Sequence, residues 1–210
     1  MKLVEILLPA NPYVEGLLKM SPGELREMVK KPINNLDENT IALFDYKEPF
    51  IRQAIWELKY RGNKKIATLF GECLYDDLIL ELSDRKLAEN FDNPLLLPIP
   101  ISGEKRRSRG WNQSELLADS VVKMDGNKFF ELNFHVLNKI KDTESQTKKN
   151  RAERLKNLNG CFAIRDRNKV RNRNIILLDD VTTTGATFEE AEKTLLSAGA
   201  KKIFCVAVAH

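Results

Sequence analysis

The sequence predicts an α/β fold, a parallel sheet flanked by helices on both faces, with a small, mostly helical N-terminal extension. Three observations carry this expectation. From about residue 94 onward, strand-like and helix-like segments alternate, which is the pattern of a parallel sheet with crossover helices. Two strand candidates, residues 95–101 and 174–179, are short apolar runs without polar alternation, as expected of strands buried on both faces. Finally, 210 residues with 42% hydrophobic and 30% charged content suit one ordinary globular domain that buries its own core. The main domain is expected over 41–210, and residues 1–40 form an extension with no assigned role.

Ser21-Pro22-Gly23-Glu24 reads as a capping box with proline at the first helical position, opening a helix through about Val29; Lys31-Pro32 ends it. Residues 40–44 are strand-like. Residues 49–60 place Phe50, Ile51, Ala54, Ile55 and Leu58 near helical spacing, and Gly62 suits the stop. A longer helix is expected over 64–82. After the strand at 95–101 come a helix at 112–124, a weak strand at 134–137 and a polar stretch at 139–159. A strong strand at 174–179, a helix at 187–197 and a last strand at 202–209 complete the series.

Composition excludes several classes. The longest apolar runs are far too short to cross a bilayer, so no membrane insertion is expected. The N-terminus has no signal-peptide core or cleavage site, and a cytoplasmic protein is expected. Three scattered cysteines, Cys73, Cys161 and Cys205, make neither a disulfide framework nor a CxxC metal motif and read as buried small residues. The net charge of +4 is modest but uneven, with basic clusters at 105–109, 139–156 and 165–173. Such asymmetry points to an anionic partner, a polyphosphate or a nucleic acid; solvated loops are the alternative for any one cluster.

The informative segment is Ile175-Ile176-Leu177-Leu178-Asp179-Asp180-Val181-Thr182-Thr183-Thr184-Gly185-Ala186-Thr187. It is an apolar strand, two carboxylates at its carboxyl end, a turn of small residues, and a helix start. Such a turn aims backbone N–H groups and threonine hydroxyls at one point, and the helix N-terminus behind it favours an anion. Gly185 permits a positive φ or close backbone approach. A phosphate monoester suits the turn, and the paired acids suit sugar hydroxyls. The plainer alternative is an ordinary strand-to-helix turn capped by Thr182 or Thr183. There is neither a GxxxxGK[ST] P-loop nor a GxGxxG after a strand.

This segment closely resembles the phosphoribosyl pyrophosphate (PRPP) motif of type I phosphoribosyltransferases. The resemblance implies a type I phosphoribosyltransferase-like domain in which Asp179 and Asp180 contact the ribose hydroxyls. It implies also that Thr182, Thr183, Thr184, Gly185, Ala186 and Thr187 hold the 5-phosphate. Purine-salvage members carry an acid two residues before the glycine; Thr183 stands there instead, which weighs against purine-base transfer.

Further blocks are similar to the ComF family of late-competence proteins. They are Leu97-Pro98-Ile99-Pro100-Ile101 with Lys105-Arg106-Arg107-Ser108-Arg109-Gly110-Trp111-Asn112-Gln113, where Trp111 replaces the usual Phe. Thr143, Gln146, Arg151, Arg154, Asn157 and Phe162 form a second block. Ala42-Leu43-Phe44-Asp45-Tyr46 with Leu58-Lys59-Tyr60-Arg61-Gly62 form an early one. Many members begin with a four-cysteine, zinc-ribbon-like segment; no cysteine precedes Cys73, so no zinc is expected.

In the wider superfamily the segment after the first core strand is a pyrophosphate loop, which makes Ser102, Gly103, Lys105 and Arg109 candidates; a solvated loop is the alternative. Arg109, Asn112 and Gln113 have another reading, fixing this loop to the next helix with Asn112 as cap. The stretch 139–159 stands where the superfamily has a mobile catalytic loop, and Arg151 and Arg154 would bring cations to a leaving pyrophosphate. A nucleic-acid contact is the competing reading. Trp111 suits either base stacking or packing. For an enzyme, the resemblance implies displacement of pyrophosphate from C1 of PRPP by a nitrogen nucleophile. Mg²⁺ would bridge ligand oxygens, with no metal ligand directly from the protein. No residue presents itself as a general base. The rival expectation is a non-catalytic competence accessory protein that meets single-stranded DNA or a helicase-like partner.

Overall fold

The computed structural model of the protein describes residues 12–29, 32, 36–126, 128–141 and 158–210. Five strands form its central sheet: β1 (Thr40–Phe44), β2 (Leu95–Pro98), β3 (Glu131–Leu132), β6 (Asn174–Val181) and β7 (Lys202–Ala209). Their order is β1-β7-β6-β2-β3 and every neighbouring pair is parallel. Between β3 and β6 in the chain, β4 (Leu137–Lys139) and β5 (Phe162–Ile164) make a separate antiparallel pair.

Alternating side chains of the three inner strands feed two cores. Leu96, Ile176, Leu178, Phe204, Val206 and Val208 pack on one face, with α3 (Pro49–Arg61), α4 (Lys64–Glu89) and α6 (Gln113–Asp125). Leu95, Leu97, Ile175, Leu177, Cys205 and Ala207 pack on the other, with α7 (Ala186–Ser197) and the β4–β5 pair. Burial on both faces explains why these strands read as unbroken apolar runs. The N-terminal helices α1 (Pro12–Leu17) and α2 (Pro22–Met28) join the first core through Val14, Leu17 and Leu25. Arg26 ties α2 to α4 through Asp76 at 3.0 Å and Asp77 at 2.9 Å. Ser21 and Glu24 form the expected capping box.

Several boundaries differ from expectation, each for a local reason. Strand β2 ends at Pro98 rather than at residue 101, because Pro98 and Pro100 lack an N–H; the last bond on that side is Ile99 N to Leu178 O at 2.8 Å. Helix α4 continues seven residues past 82, held by Arg85. That side chain is stacked 4.2 Å from the Phe204 ring and bonded to Glu81, Glu89, Asn39 and the Glu38 carbonyl. The segment after β2 is a short helix, α5 (Gly103–Arg109), rather than a loop, capped by Ser102 Oγ accepting from Lys105 N. The strand expected over 134–137 begins only at Leu137, because the Asn133 side chain accepts the amides of His135 and Val136 in a turn. The stretch 142–157 lies outside the described residues. All three cysteines are buried free thiols. No described helix is long and apolar enough to cross a membrane.

Gly62 closes α3 at φ 59°, and a Cβ there would meet Trp111 Cε2 at 2.8 Å. Gly62→Ala therefore adds a positive-φ penalty to a clash with an indole fixed by its Nε1 bond to Leu58 O at 3.0 Å. A loss of about 2–3 kcal/mol in urea unfolding is expected, and a change below about 0.5 kcal/mol would show that Trp111 is free to move.

Candidate functional site

Adjacent strands β2 and β6 send their chains in opposite directions. From β2 the chain passes through α5 and α6 on one face to β3 at the sheet edge; from β6 it passes through α7 on the other face to β7. Diverging connections of this kind mark the crevice, beyond the carboxyl ends of two strands, in which open parallel sheets place their ligands. Asp179, in register with Ala207, and Asp180 lie at that end of β6.

The turn after β6 is anchored by Thr182 N donating to Ala209 O at 2.9 Å, which buries Thr182. Thr183 is exposed, and Thr184 and Gly185 are half-buried. Gly185, at φ 76°, takes the N-cap position of α7 and supplies no side-chain cap. The amides of Ala186, Thr187 and Phe188 open the helix with no side-chain acceptor among the described residues, and the next amide, Glu189 N, bonds back to Gly185 O. A Cβ built on Gly185 would meet nothing within 4 Å, so the glycine is needed for its backbone angle. Thr183, Thr184 and Gly185 border a cavity of about 570 Å³ that runs along α7 past Phe188, Glu192 and His210.

The twin acids face away from this cavity, toward α3 and α6. Asp180 is 2% exposed; its Oδ1 accepts Gln113 Nε2 at 3.2 Å, and its Oδ2 lies 2.6 Å from Lys59 Nζ. Asp179 is half-buried, and its Oδ1 accepts Ser114 Oγ at 2.7 Å and the Asp180 amide at 2.9 Å. The start of α6 is aimed here by Asn112, which caps the helix through Ser114 N and donates to Ile99 O at 2.9 Å. Burial, then the neighbouring Asp180 charge, pushes Asp179 up to about 7, against the pull of the Ser114 hydroxyl and the Lys59 charge. For Lys59, burial works downward, but the charge and hydrogen bond of Asp180, with the charge of Asp179, outweigh it and leave the amine above its ordinary value.

The other sequence candidates fall on α5 or outside the described residues. Ser102 is buried as the cap of α5, Gly103 opens that helix, and Lys105 is half-buried on it. Arg109 ends it, donating to Gln113 Oε1 at 2.6 Å and lying 5.3 Å from the Tyr60 ring. Arg109 thus reaches Asp180 through one intervening amide. Arg151 and Arg154 lie outside the described residues. Trp111 is taken up by its bond to Leu58 O and by its packing on Gly62.

No family model matches the chain. Two curated relatives are each 30% identical to it. The competence protein ComFC of Bacillus subtilis matches over 158 residues, 75% of this chain and 58% of the relative. Competence protein F of Haemophilus influenzae matches over 169 residues, 79% of this chain and 70% of the relative. The chain belongs to the ComF family. It spans 58% of the length of the first of these relatives. A more distant ComF relative, the DNA utilization protein YhgH of Escherichia coli K12, is 24% identical over 167 residues, 79% of this chain and 69% of its own length. Among solved structures, hypoxanthine phosphoribosyltransferases of Trypanosoma cruzi and Staphylococcus aureus align at TM-scores of 0.39 and 0.36. Each shows 12% identity over 69% of this chain, covering 64% and 63% of theirs. Scores of this size carry no argument about the ComF site.

Sequence reasoning named Lys59 only within a family block and did not single out Ser114. A signal for Lys59 was present: it stands four residues after Ile55 and eight after Ile51, on the buried stripe of α3. Nothing in the sequence marked Ser114.

The raised carboxyl of Asp179 sets a pH dependence. An acid titrating higher in the folded state than in the unfolded chain, where about 3.9 is usual, costs stability as pH rises from there through about 7. Asp179→Asn should therefore be more stable than wild type at pH 8, by on the order of 2 kcal/mol, with the gap closing toward pH 4. Chemical unfolding at both pH values measures it, and a gap that widens on acidification would show that Asp179 titrates low.

Proposed function

We propose that this ComF protein binds PRPP, with Mg²⁺ carried on the ligand, at the β6–α7 turn. The reading is carried by the first turn of α7 behind Gly185, which presents amides with no side-chain acceptor among the described residues beside threonine side chains. A 5-phosphate fits that donor set. Asp179, with Oδ2 making no hydrogen bond among the described residues, is the acid a ribose hydroxyl would meet. Asp180 is enclosed by Lys59 and Gln113 and would reach a hydroxyl only if one of them moved. Mg²⁺ would enter with the ligand. Bound there, Mg²⁺ would supply Lewis acidity at the leaving group.

The reaction this suits is transfer to a nitrogen acceptor: the C1–O bond to pyrophosphate breaks as a C1–N bond forms, and the nitrogen loses its proton. The protein would contribute positioning and charge stabilisation. Lys105 and Arg109, on the helix that follows β2, would meet the leaving pyrophosphate.

A second reading, an accessory protein for single-stranded DNA, is favoured by a separate observation on the outer face of α3. Trp56 and Tyr60 are 41% and 53% exposed with ring centroids 5.3 Å apart. Arg61 lies 5.5 Å from the Trp56 ring and Arg109 lies 5.3 Å from the Tyr60 ring. Exposed aromatic rings flanked by guanidinium groups stack unpaired bases and meet their phosphates. The competence and DNA utilization names of the relatives agree with this reading.

PRPP with Mg²⁺ at about ten to one hundred times Kd should stabilise the protein by about 1.4–2.7 kcal/mol. Differential scanning fluorimetry should show a rise of several degrees that is absent in Asp179→Asn. An unchanged Tm at millimolar PRPP would remove the first reading. For the second, anisotropy with a fluorescent oligothymidylate should show binding that weakens steeply between 50 and 200 mM salt (a range of about 10³–10⁵-fold for six to ten phosphate contacts). A Trp56→Ala/Tyr60→Ala variant should bind at least about tenfold more weakly. Equal affinity of variant and wild type would take the aromatic face out of DNA binding.

A further inference from the structure

The two acids at the end of β6 are not equivalent, and one lysine separates them. Both oxygens of Asp180 are engaged, Oδ1 by Gln113 from α6 and Oδ2 by Lys59 from α3. Asp179 commits only Oδ1, to Ser114 and the Asp180 amide. Lys59 reaches its partner from the buried stripe of its helix, with its side chain 26% exposed against 3% for that of Asp180. Enclosing an ammonium and a carboxylate costs desolvation, and a lysine gives up rotamer freedom when fixed. An apolar residue would pack α3 on the sheet without these costs. What an apolar residue would not do is hold one of two adjacent carboxylates away from the crevice.

Resting on the PRPP reading for the identity of the ligand, we infer that Lys59 is a positioning residue of the ribose site. Its ammonium pins Asp180 inward between α3 and α6 and leaves Asp179 as the single carboxylate offered to a sugar's hydroxyls. The groups around the pair are few. Lys59 faces it from α3, and Tyr46 acts on Lys59 from the segment after β1. Neutral Gln113 and Ser114 face it from α6, and Arg109 of α5 acts through Gln113. Lys59 is thus the cation in direct contact with the acids among the described residues. Without it, Asp180 would turn to compete for the same space and its charge would bear unopposed on Asp179. Deleting the Asp180 charge as well should undo the effect, so the two substitutions should couple rather than add.

The test is a carboxyl ¹³C NMR titration of aspartate-labelled protein, following the resonance that Asp179→Asn removes, paired with calorimetric PRPP·Mg²⁺ binding across pH. In Lys59→Met the Asp179 midpoint should move to higher pH by about 1–3 units, and the acid limb of PRPP binding should move with it. Lys59→Arg should restore both, and Lys59→Met/Asp180→Asn should return the midpoint toward wild type. A merely structural lysine would lower stability without moving a midpoint, so an unmoved midpoint in Lys59→Met, or the same shift in the double variant, overturns the inference. Should Lys59→Met fail to fold, Asp180→Asn alone must lower the midpoint, and an unchanged value there is equally fatal. If wild type gives no PRPP heat at any pH while the midpoints move as stated, the ligand reading fails. Lys59's hold on the acids would survive that result, but its role at a ribose site would not.

Discussion

Two adjacent carboxylates at the tip of a strand buried on both faces repel each other where water screens them little, and the region around the site is organised around that repulsion. One ammonium from α3, one amide and one hydroxyl from α6, and the backbone amide of Asp180 itself converge on three of the four carboxylate oxygens. These contacts hold α3 and α6 against the end of β6. Asn112 fixes the start of α6, and the Trp111 side chain reaches back to the end of α3, so the acids, the two helices and the strand end form one tied unit. Removing any partner leaves a charge or a donor short in a nearly closed space, which costs more than the contact itself contributes.

The sheet decides where this unit sits. Chain leaving β2 and chain leaving β6 pass to opposite faces, and the first turn of α6, on the β2 crossover, meets the acids at the end of β6. The uncapped turn into α7 opens on one side of β6 and the acids on the other. A ligand spanning both would wrap the tip of β6, with an anionic group on the helix start and hydroxyls toward Asp179. This arrangement sets the helix-start donors apart from the twin acids, while Asp37, Glu189 and Glu192 line the cavity beside the donors.

Helix α3 has two working faces. Its buried stripe carries Lys59 to the acids, and its outer face carries the Trp56–Tyr60 pair. Arg109 links them, stacked near Tyr60 on one side and bonded to Gln113 on the other, and Gln113 in turn holds Asp180. A polyanion drawing Arg109 outward would therefore loosen one of the two bonds on that carboxylate. The twin acids and the aromatic face are thus physically connected through Arg109 and Gln113.

The sequence by itself determined four of the five sheet strands, most of the helices and the place of the turn after β6. Strands such as β6 and β7 were legible because burial on both faces demands unbroken apolar runs, and the limits of 40–44 and 202–209 matched those seen. Caps at Ser21, Gly62 and Asn112 were legible because their chemistry is local. Short elements escaped: β3 has two residues, and α5 carries no buried side chain to show a period. The tail of α4 escaped because a single long-range arginine holds it. Only the tertiary structure decided which way Asp179 and Asp180 turn, since that depends on Lys59, Gln113 and Ser114 arriving from helices far earlier in the chain, Gln113 and Ser114 from 67 and 65 residues away and Lys59 from farther still. Local pattern reports what a segment buries; it carries no record of which distant charge will meet it there.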